Sequence, residues 1–82
     1  MRTVTLYSRP GCHLCDDARA ALERVRVHAP FDLAEVDITA DDALHARYLE
    51  RIPVVALDGE ELFDYFVDEA ALVRRIVYRE GE

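Results

Sequence analysis

The chain carries two cysteines, Cys12 and Cys15, separated by His13 and Leu14 and preceded by Ser8-Arg9-Pro10-Gly11. A thiol reacts as its thiolate. Thiolates are stabilised where unpaired backbone N–H groups and the positive end of a helix dipole point at the sulfur. The Pro-Gly turn supplies a sharp bend, and Cys12 then opens a helix; a cysteine so placed falls from a pKa of about 8.5 into the range of about 3.5–7.5. Each unit of that depression is worth roughly 1.4 kcal/mol. Cys15 lies on the adjoining turn, within reach of a disulfide, so that one thiol can attack and its neighbour can resolve the mixed disulfide. Two other uses of the pair compete with this one. An inert core pair leaves the Pro-Gly turn without a purpose, and zinc needs four ligands where one C-x-x-C supplies two and His13, His28 and His45 lack the spacing to complete the set. As an imidazolium, His13 favours the thiolate and makes the disulfide more oxidising; otherwise it is a solvent-facing residue of an exposed motif. Asp16 and Asp17 suit a helix N-terminus but repel a thiolate.

The elements that must hold this motif are legible from periodicity. Arg2 to Tyr7 alternates as a strand, and beyond the turn Leu14, Ala18, Ala21, Leu22 and Val25 mark the apolar stripe of a helix. Pro30 ends it, and Phe31 to Ile38 reads as a second strand. Thr39 with Asp42 reads as a capping box for a short helix through Leu44 and Tyr48. Val54 to Leu57 is a third strand, Asp58-Gly59 a two-residue hairpin signal, and Glu60 to Phe63 a fourth strand. Asp68 caps a last helix with Leu72, Val73, Ile76 and Val77 on its apolar side. The order is β-α-β-α-β-β-α. The crossover makes the first two strands parallel and the hairpin makes the last two antiparallel, giving an α/β fold with a mixed four-stranded sheet flanked by helices. Tyr48, Tyr65 and Phe66 read as packing residues in preference to surfaces for substrate stacking, and His28 and His45 as surface residues.

At 82 residues the chain reads as a single domain, 1–82. A hydrophobic share of 51% with 33% charged residues fits a globular protein. No apolar run approaches the ~18 residues of a membrane span, and the start shows strand alternation in place of a signal-peptide pattern. A cytoplasmic location and no membrane partner are therefore expected. The net charge of −7 is uneven: residues 1–30 hold five Arg against three acids, residues 31–73 two Arg against twelve acids, and the last nine three Arg against two acids. Phosphate backbones need a concentrated basic face, so nucleic acid is not an expected partner.

Tyr7 through Cys15 followed by a helix, together with Arg51-Ile52-Pro53-Val54-Val55 before a hairpin, resembles a glutaredoxin, and in particular the short bacterial glutaredoxin-like proteins. The resemblance covers nearly the whole chain. The absence of Trp before Cys12 sets it apart from thioredoxin proper. It implies a thioredoxin/glutaredoxin-like fold, Cys12 as attacking and Cys15 as resolving thiol, and a cis Pro53 facing the pair; from the residues alone, a Pro starting a strand is merely permitted. It further implies that the backbone of Ile52 meets the substrate chain and that Arg9, at the position of a usual Lys, serves the Cys12 thiolate or a substrate carboxylate; the competing reading of Arg9 is a solvated loop charge. The residues assigned to substrate contact are Arg9, His13, Leu14, Ile52, Pro53 and Asp68. The chain departs from the family pattern twice. His13 and Leu14 stand where a Pro and an aromatic are usual, and Phe66-Val67 replace the double Gly that precedes the acids receiving the γ-glutamyl end of glutathione, so that side chains fill a place of close backbone approach.

The expected activity is thiol–disulfide oxidoreduction on protein or small-molecule disulfides through a Cys12/Cys15 cycle. Electrons are expected from glutathione or a thioredoxin-reductase-type flavoprotein. No resident cofactor or metal is expected beyond the redox-active disulfide, with glutathione as the candidate co-substrate, and the protein is expected to be a monomer. The alternative is a thioredoxin-fold binding or adaptor module, or an iron–sulfur carrier, with the thiols as ligands.

Overall fold

Alternation of apolar and polar residues in Thr3–Ser8 buries Val4, Leu6 and Ser8, and this first strand, β1, becomes one of the two inner strands of the sheet. The computed structural model describes residues 2–78. The elements that follow are α1 (His13–His28), β2 (Asp32–Asp37), a 3-10 turn (Ile38–Ala40), α2 (Asp42–Tyr48), β3 (Val54–Leu57), β4 (Glu60–Asp64) and α3 (Glu69–Val77). The sheet order is β2-β1-β3-β4. β1 and β2 are parallel with Ser8 opposite Asp37, and β3 is antiparallel to both β1 and β4. This is the expected α/β thioredoxin-like fold with its mixed four-stranded sheet. All four residues of β3 are buried, as befits an inner strand covered on both faces.

Two apolar clusters stand on the sheet. The larger joins Val4, Leu6, Val55 and Leu57 to Ala18, Leu22 and Val25 of α1, Phe31 and Leu72 of α3. Burying each of the larger of these side chains is worth about 1.5–3 kcal/mol. The smaller cluster joins Cys15, Ile38, Tyr48, Ile52 and Val54, with Tyr7, Cys12 and Leu44 packed against it. It is the floor under the cysteine pair.

Several expectations are corrected. The apolar stripe of α1 starts at Cys15, which is fully buried, while Leu14 turns outward at 37% exposure. The offsets Cys15, Ala18, Leu22, Val25 keep one face, and Leu14 lies about 100° round from Cys15. The second helix is capped by Asp41 and not by a Thr39–Asp42 box. The Asp37 carboxylate takes the Thr39 N–H at 2.8 Å and the Thr39 hydroxyl at 2.6 Å, winding 38–40 into a 3-10 turn. Asp41 then stays extended and accepts from Ala43 N at 2.8 Å and Leu44 N at 3.1 Å. Val77, expected on the apolar side of α3, is 51% exposed, and the helix seats itself through Leu72, Val73 and Ile76. Tyr65 and Phe66 do not pack inward either: both lie exposed in the β4–α3 connection.

The Asp58-Gly59 hairpin forms as expected, with both residues at positive φ, +50° and +90°. Asp58 also fastens the turn to β1, accepting from Thr3 N at 2.9 Å and from Arg2 Nε at 2.8 Å.

Candidate active site

The chain reaches its chemistry where β1 ends. Gly11 has φ +77°, a conformation that disfavours any side chain. Among the described residues, its two chain neighbours aside, no atom lies within 4 Å of where a Cβ would stand, so backbone conformation and not space asks for Gly. The turn delivers Cys12 as the N-cap of α1 in extended conformation (φ −96°, ψ 110°). Its sulfur accepts the N–H of Cys15 at 3.1 Å, taking the role that a Ser or Asp oxygen plays in other caps. The two sulfurs are joined in a disulfide, with Cα atoms 5.2 Å apart. Cys15 is fully buried in the smaller cluster, while Cys12 is half-buried at its rim.

Beneath the pair Tyr7 and Tyr48 stack, ring centroids 4.4 Å apart and planes 22° from parallel. The Tyr48 hydroxyl donates to Glu61 at 2.7 Å, and Glu61 is gripped by Arg51 at 2.6 Å and by Arg47 at 3.2 Å. Arg51 also holds Asp64 at 3.0 Å. The Arg51 guanidinium, then the Tyr48 hydroxyl, hold the Glu61 carboxyl down to about 2. Burial, then the Glu61 carboxylate, push the Tyr48 phenol up to about 12. The pinned segment is the one that leads into Ile52-Pro53. That peptide bond is cis, as the resemblance implied, and Pro53 is fully buried. The Ile52 N–H is already spent on the Tyr48 carbonyl at 3.0 Å, whereas its own carbonyl meets no hydrogen-bond donor among the described residues.

On the other side of the motif, the buried Ser8 hydroxyl donates to Glu35 at 3.0 Å, and Arg19 bridges Glu35 and Asp16. The Arg19 guanidinium is the main cause that holds the Glu35 carboxyl below its usual range. This network ties the first turns of α1 to β2. Nothing in the sequence pairs Ser8 with Glu35 or Tyr48 with Glu61, because both contacts join residues on different elements.

The structure gathers Cys12, Cys15 and Ile52 in one cluster with Pro53 next in the chain. His13 and Leu14 are exposed on the first turn of α1. Arg9 is exposed at the rim of a recess shared with Asp16, Arg19, Glu35 and Asp37, without an ion pair among the described residues. Asp68 caps α3, its carboxylate accepting Ala71 N at 3.0 Å. Among the described residues no three His, Cys, Asp or Glu side chains converge to hold a metal ion, and no helix is long and apolar enough to cross a membrane.

Comparison with known proteins agrees with this layout. The model of the glutaredoxin-like domain (DUF836) matches residues 3–77. An uncharacterized protein of Mycobacterium tuberculosis is 34% identical, covering 84% of this chain and 76% of its own. A Nitrosomonas europaea protein solved by solution NMR superposes with a TM-score of 0.81 at 30% identity, covering 92% of this chain and 91% of that one. An X. campestris protein solved by X-ray gives 0.71 at 39% identity, with 85% and 89% covered. A thioredoxin variant from Halobacterium salinarum shares the fold, with a TM-score of 0.64 at 24% identity over 92% of this chain and 71% of that one. The chain belongs to the glutaredoxin-like domain family.

Proposed function

We propose that this member of the glutaredoxin-like domain family is a thiol–disulfide oxidoreductase acting on protein or small-molecule disulfides through Cys12 and Cys15. The observation that carries the reading is the asymmetry of the pair: Cys12 caps α1 at the rim of the site, and Cys15 is fully buried one turn behind it. In the reduced protein the Cys12 thiolate attacks one sulfur of the substrate disulfide, forming a mixed disulfide and expelling the other substrate thiolate, which takes up a proton. Cys15 loses its proton and attacks the Cys12 sulfur, releasing the second substrate thiolate. Two electrons have then passed to the substrate, and the Cys12–Cys15 disulfide stands in the protein. Two molecules of glutathione, or a flavoprotein reductase of the thioredoxin-reductase type, restore the dithiol.

The surrounding residues serve this cycle by position. The α1 N-terminus and the Cys15 N–H stabilise charge on Cys12. The Ile52 carbonyl accepts a substrate N–H, Arg9 attracts a substrate carboxylate, and the exposed Leu14 presents an apolar surface to the chain being reduced, while the buried Pro53 holds the Ile52 backbone beside the pair. The protein works as a monomer in the cytoplasm, where a lone dithiol is kept reduced. The test is a coupled assay on a disulfide substrate offering glutathione with its reductase, or a thioredoxin-reductase system, to the protein and to its Cys12→Ser and Cys15→Ser variants. Turnover that requires Cys12 supports the reading; turnover equal in the Cys12→Ser variant, or none with either donor or with dithiothreitol, overturns it.

A further inference from the structure

A groove of about 170 Å³ runs between α1 and the β4–α3 connection, beginning two residues past Cys15. Its floor is Ala18 and Ala21, and its outer wall is Tyr65 and Phe66. The wall is built, not loose. Tyr65 holds φ +68°, a conformation costly for a bulky residue. It is held there from both ends, by its N–H on the Pro53 carbonyl at 2.8 Å and its hydroxyl on the Glu50 carbonyl. The effect is to stand Phe66 out at 73% exposure. Asp17, on the facing side, is exposed and has no hydrogen bond or ion pair among the described residues, while Arg24 is bound to Glu69 at 2.8 Å. With that pair neutralised, the groove keeps one negative charge opposite an aromatic face. The same end of the sheet is acidic: residues 9–17, 37–42, 50–53 and 64–69 hold nine acids, of which Asp16, Asp64 and Glu69 are paired with Arg19, Arg51 and Arg24. The other six have no ion pair among the described residues, against Arg9 as the unpaired arginine there.

We propose that this groove is a subsite for an arginine or lysine of the polypeptide whose disulfide is exchanged at Cys12. The inference rests on the oxidoreductase reading for the exchange, but not for the binding. Phe66 offers its ring face to the cation, Asp17 its carboxylate, and the two alanines leave room for the aliphatic stem. The acidic surroundings attract a basic partner at long range.

The experiment compares short peptide disulfides bearing Arg, Gln or Glu beside the cysteine, and titrates the matching Ser-for-Cys peptides against the amide spectrum of the protein. The Arg peptide should exceed the Gln peptide in kcat/KM by roughly fivefold, and the Glu peptide by more, at about 0.01 M salt. The preference should shrink towards about 1 M salt. Asp17→Asn and Phe66→Leu should each bring the Arg-to-Gln ratio closer to one, and the Arg Ser-for-Cys peptide should shift the amides of Ala18, Ala21 and Phe66. Equal rates and equal shifts for Arg and Gln, or a ratio unmoved by both variants, overturn the subsite while leaving the exchange reaction standing. Preferential Arg binding without turnover of any peptide sinks the oxidoreductase reading and leaves the subsite.

Discussion

The backbone N–H of Cys15 points at the sulfur of Cys12 across 3.1 Å, within the turn that buries Cys15 and leaves Cys12 at the rim. The two halves of one disulfide therefore meet different surroundings: helix-end donors for one, an apolar cluster of Ile38, Tyr48, Ile52 and Val54 for the other.

Cys12 is accordingly expected to be the low-pKa nucleophile. Burial raises a thiol pKa and the helix end lowers it, so the Cys15→Ser variant should alkylate at pH 7 at least about tenfold faster than the Cys12→Ser variant. Thiolate absorbance against pH in the two variants checks the order, and faster alkylation of Cys15 would reverse the assignment.

Glutathione recognition is expected to be weak. Phe66 and Val67 stand at the positions where, in the glutaredoxins this chain resembles, a bare backbone approaches the tripeptide, and loss of one charge-assisted contact costs about 1.5–3 kcal/mol, or about ten- to a hundredfold in affinity. Turnover of a glutathionylated peptide should saturate only at high glutathione, and a Phe66→Gly/Val67→Gly variant should saturate earlier. That variant should also melt lower, because Val67 packs on the larger cluster. Early saturation in the unmodified protein, with no gain in the variant, would contradict the expectation.

Stability should depend on pH through Glu61 and Tyr48. Glu61 titrates near 2 in the folded protein against 4.5 for a free glutamate, so its contribution is complete above about 4.5 and is lost as pH falls towards about 2. Tyr48 titrates near 12 against 10, so its contribution is complete below about 10 and is lost as pH rises through about 12. Denaturant midpoints across pH should fall at both ends, with Glu61→Gln flattening the acid limb and Tyr48→Phe the alkaline one. An acid limb unchanged in Glu61→Gln would assign it to other carboxylates.

The cap of α2 offers a separate check on the fold. Asp41→Ala removes an acceptor from two N–H groups and should cost about 1 kcal/mol, within the range of about 0.5–2 for N-caps. Thr39→Ala should cost less, since its hydroxyl is bound to Asp37 outside the helix. Equal losses in urea unfolding would restore Thr39 as the cap.

The sequence alone determined the cysteine motif, the order of the elements, the parallel pairing of the first two strands, the antiparallel Asp58-Gly59 hairpin and the Asp68 cap. Each is set by interactions between residues close in the chain: a periodicity, a turn that needs positive φ, a side chain reaching N–H groups three residues on. Composition could not place Leu14, because a one-residue shift around a helix turns a side chain by about 100°, and burial of Cys15 decided which of the two faces inward. The tertiary structure alone decided the rest. The Ser8–Glu35–Arg19 bridge, the Tyr7–Tyr48 stack and the Tyr48–Glu61–Arg51 anchor of the Ile52-Pro53 segment join residues that leave no mutual trace in sequence spacing. The outward stand of Phe66 belongs with them: an aromatic reads as core until the Tyr65 backbone, locked on Pro53 and Glu50, carries it to the surface.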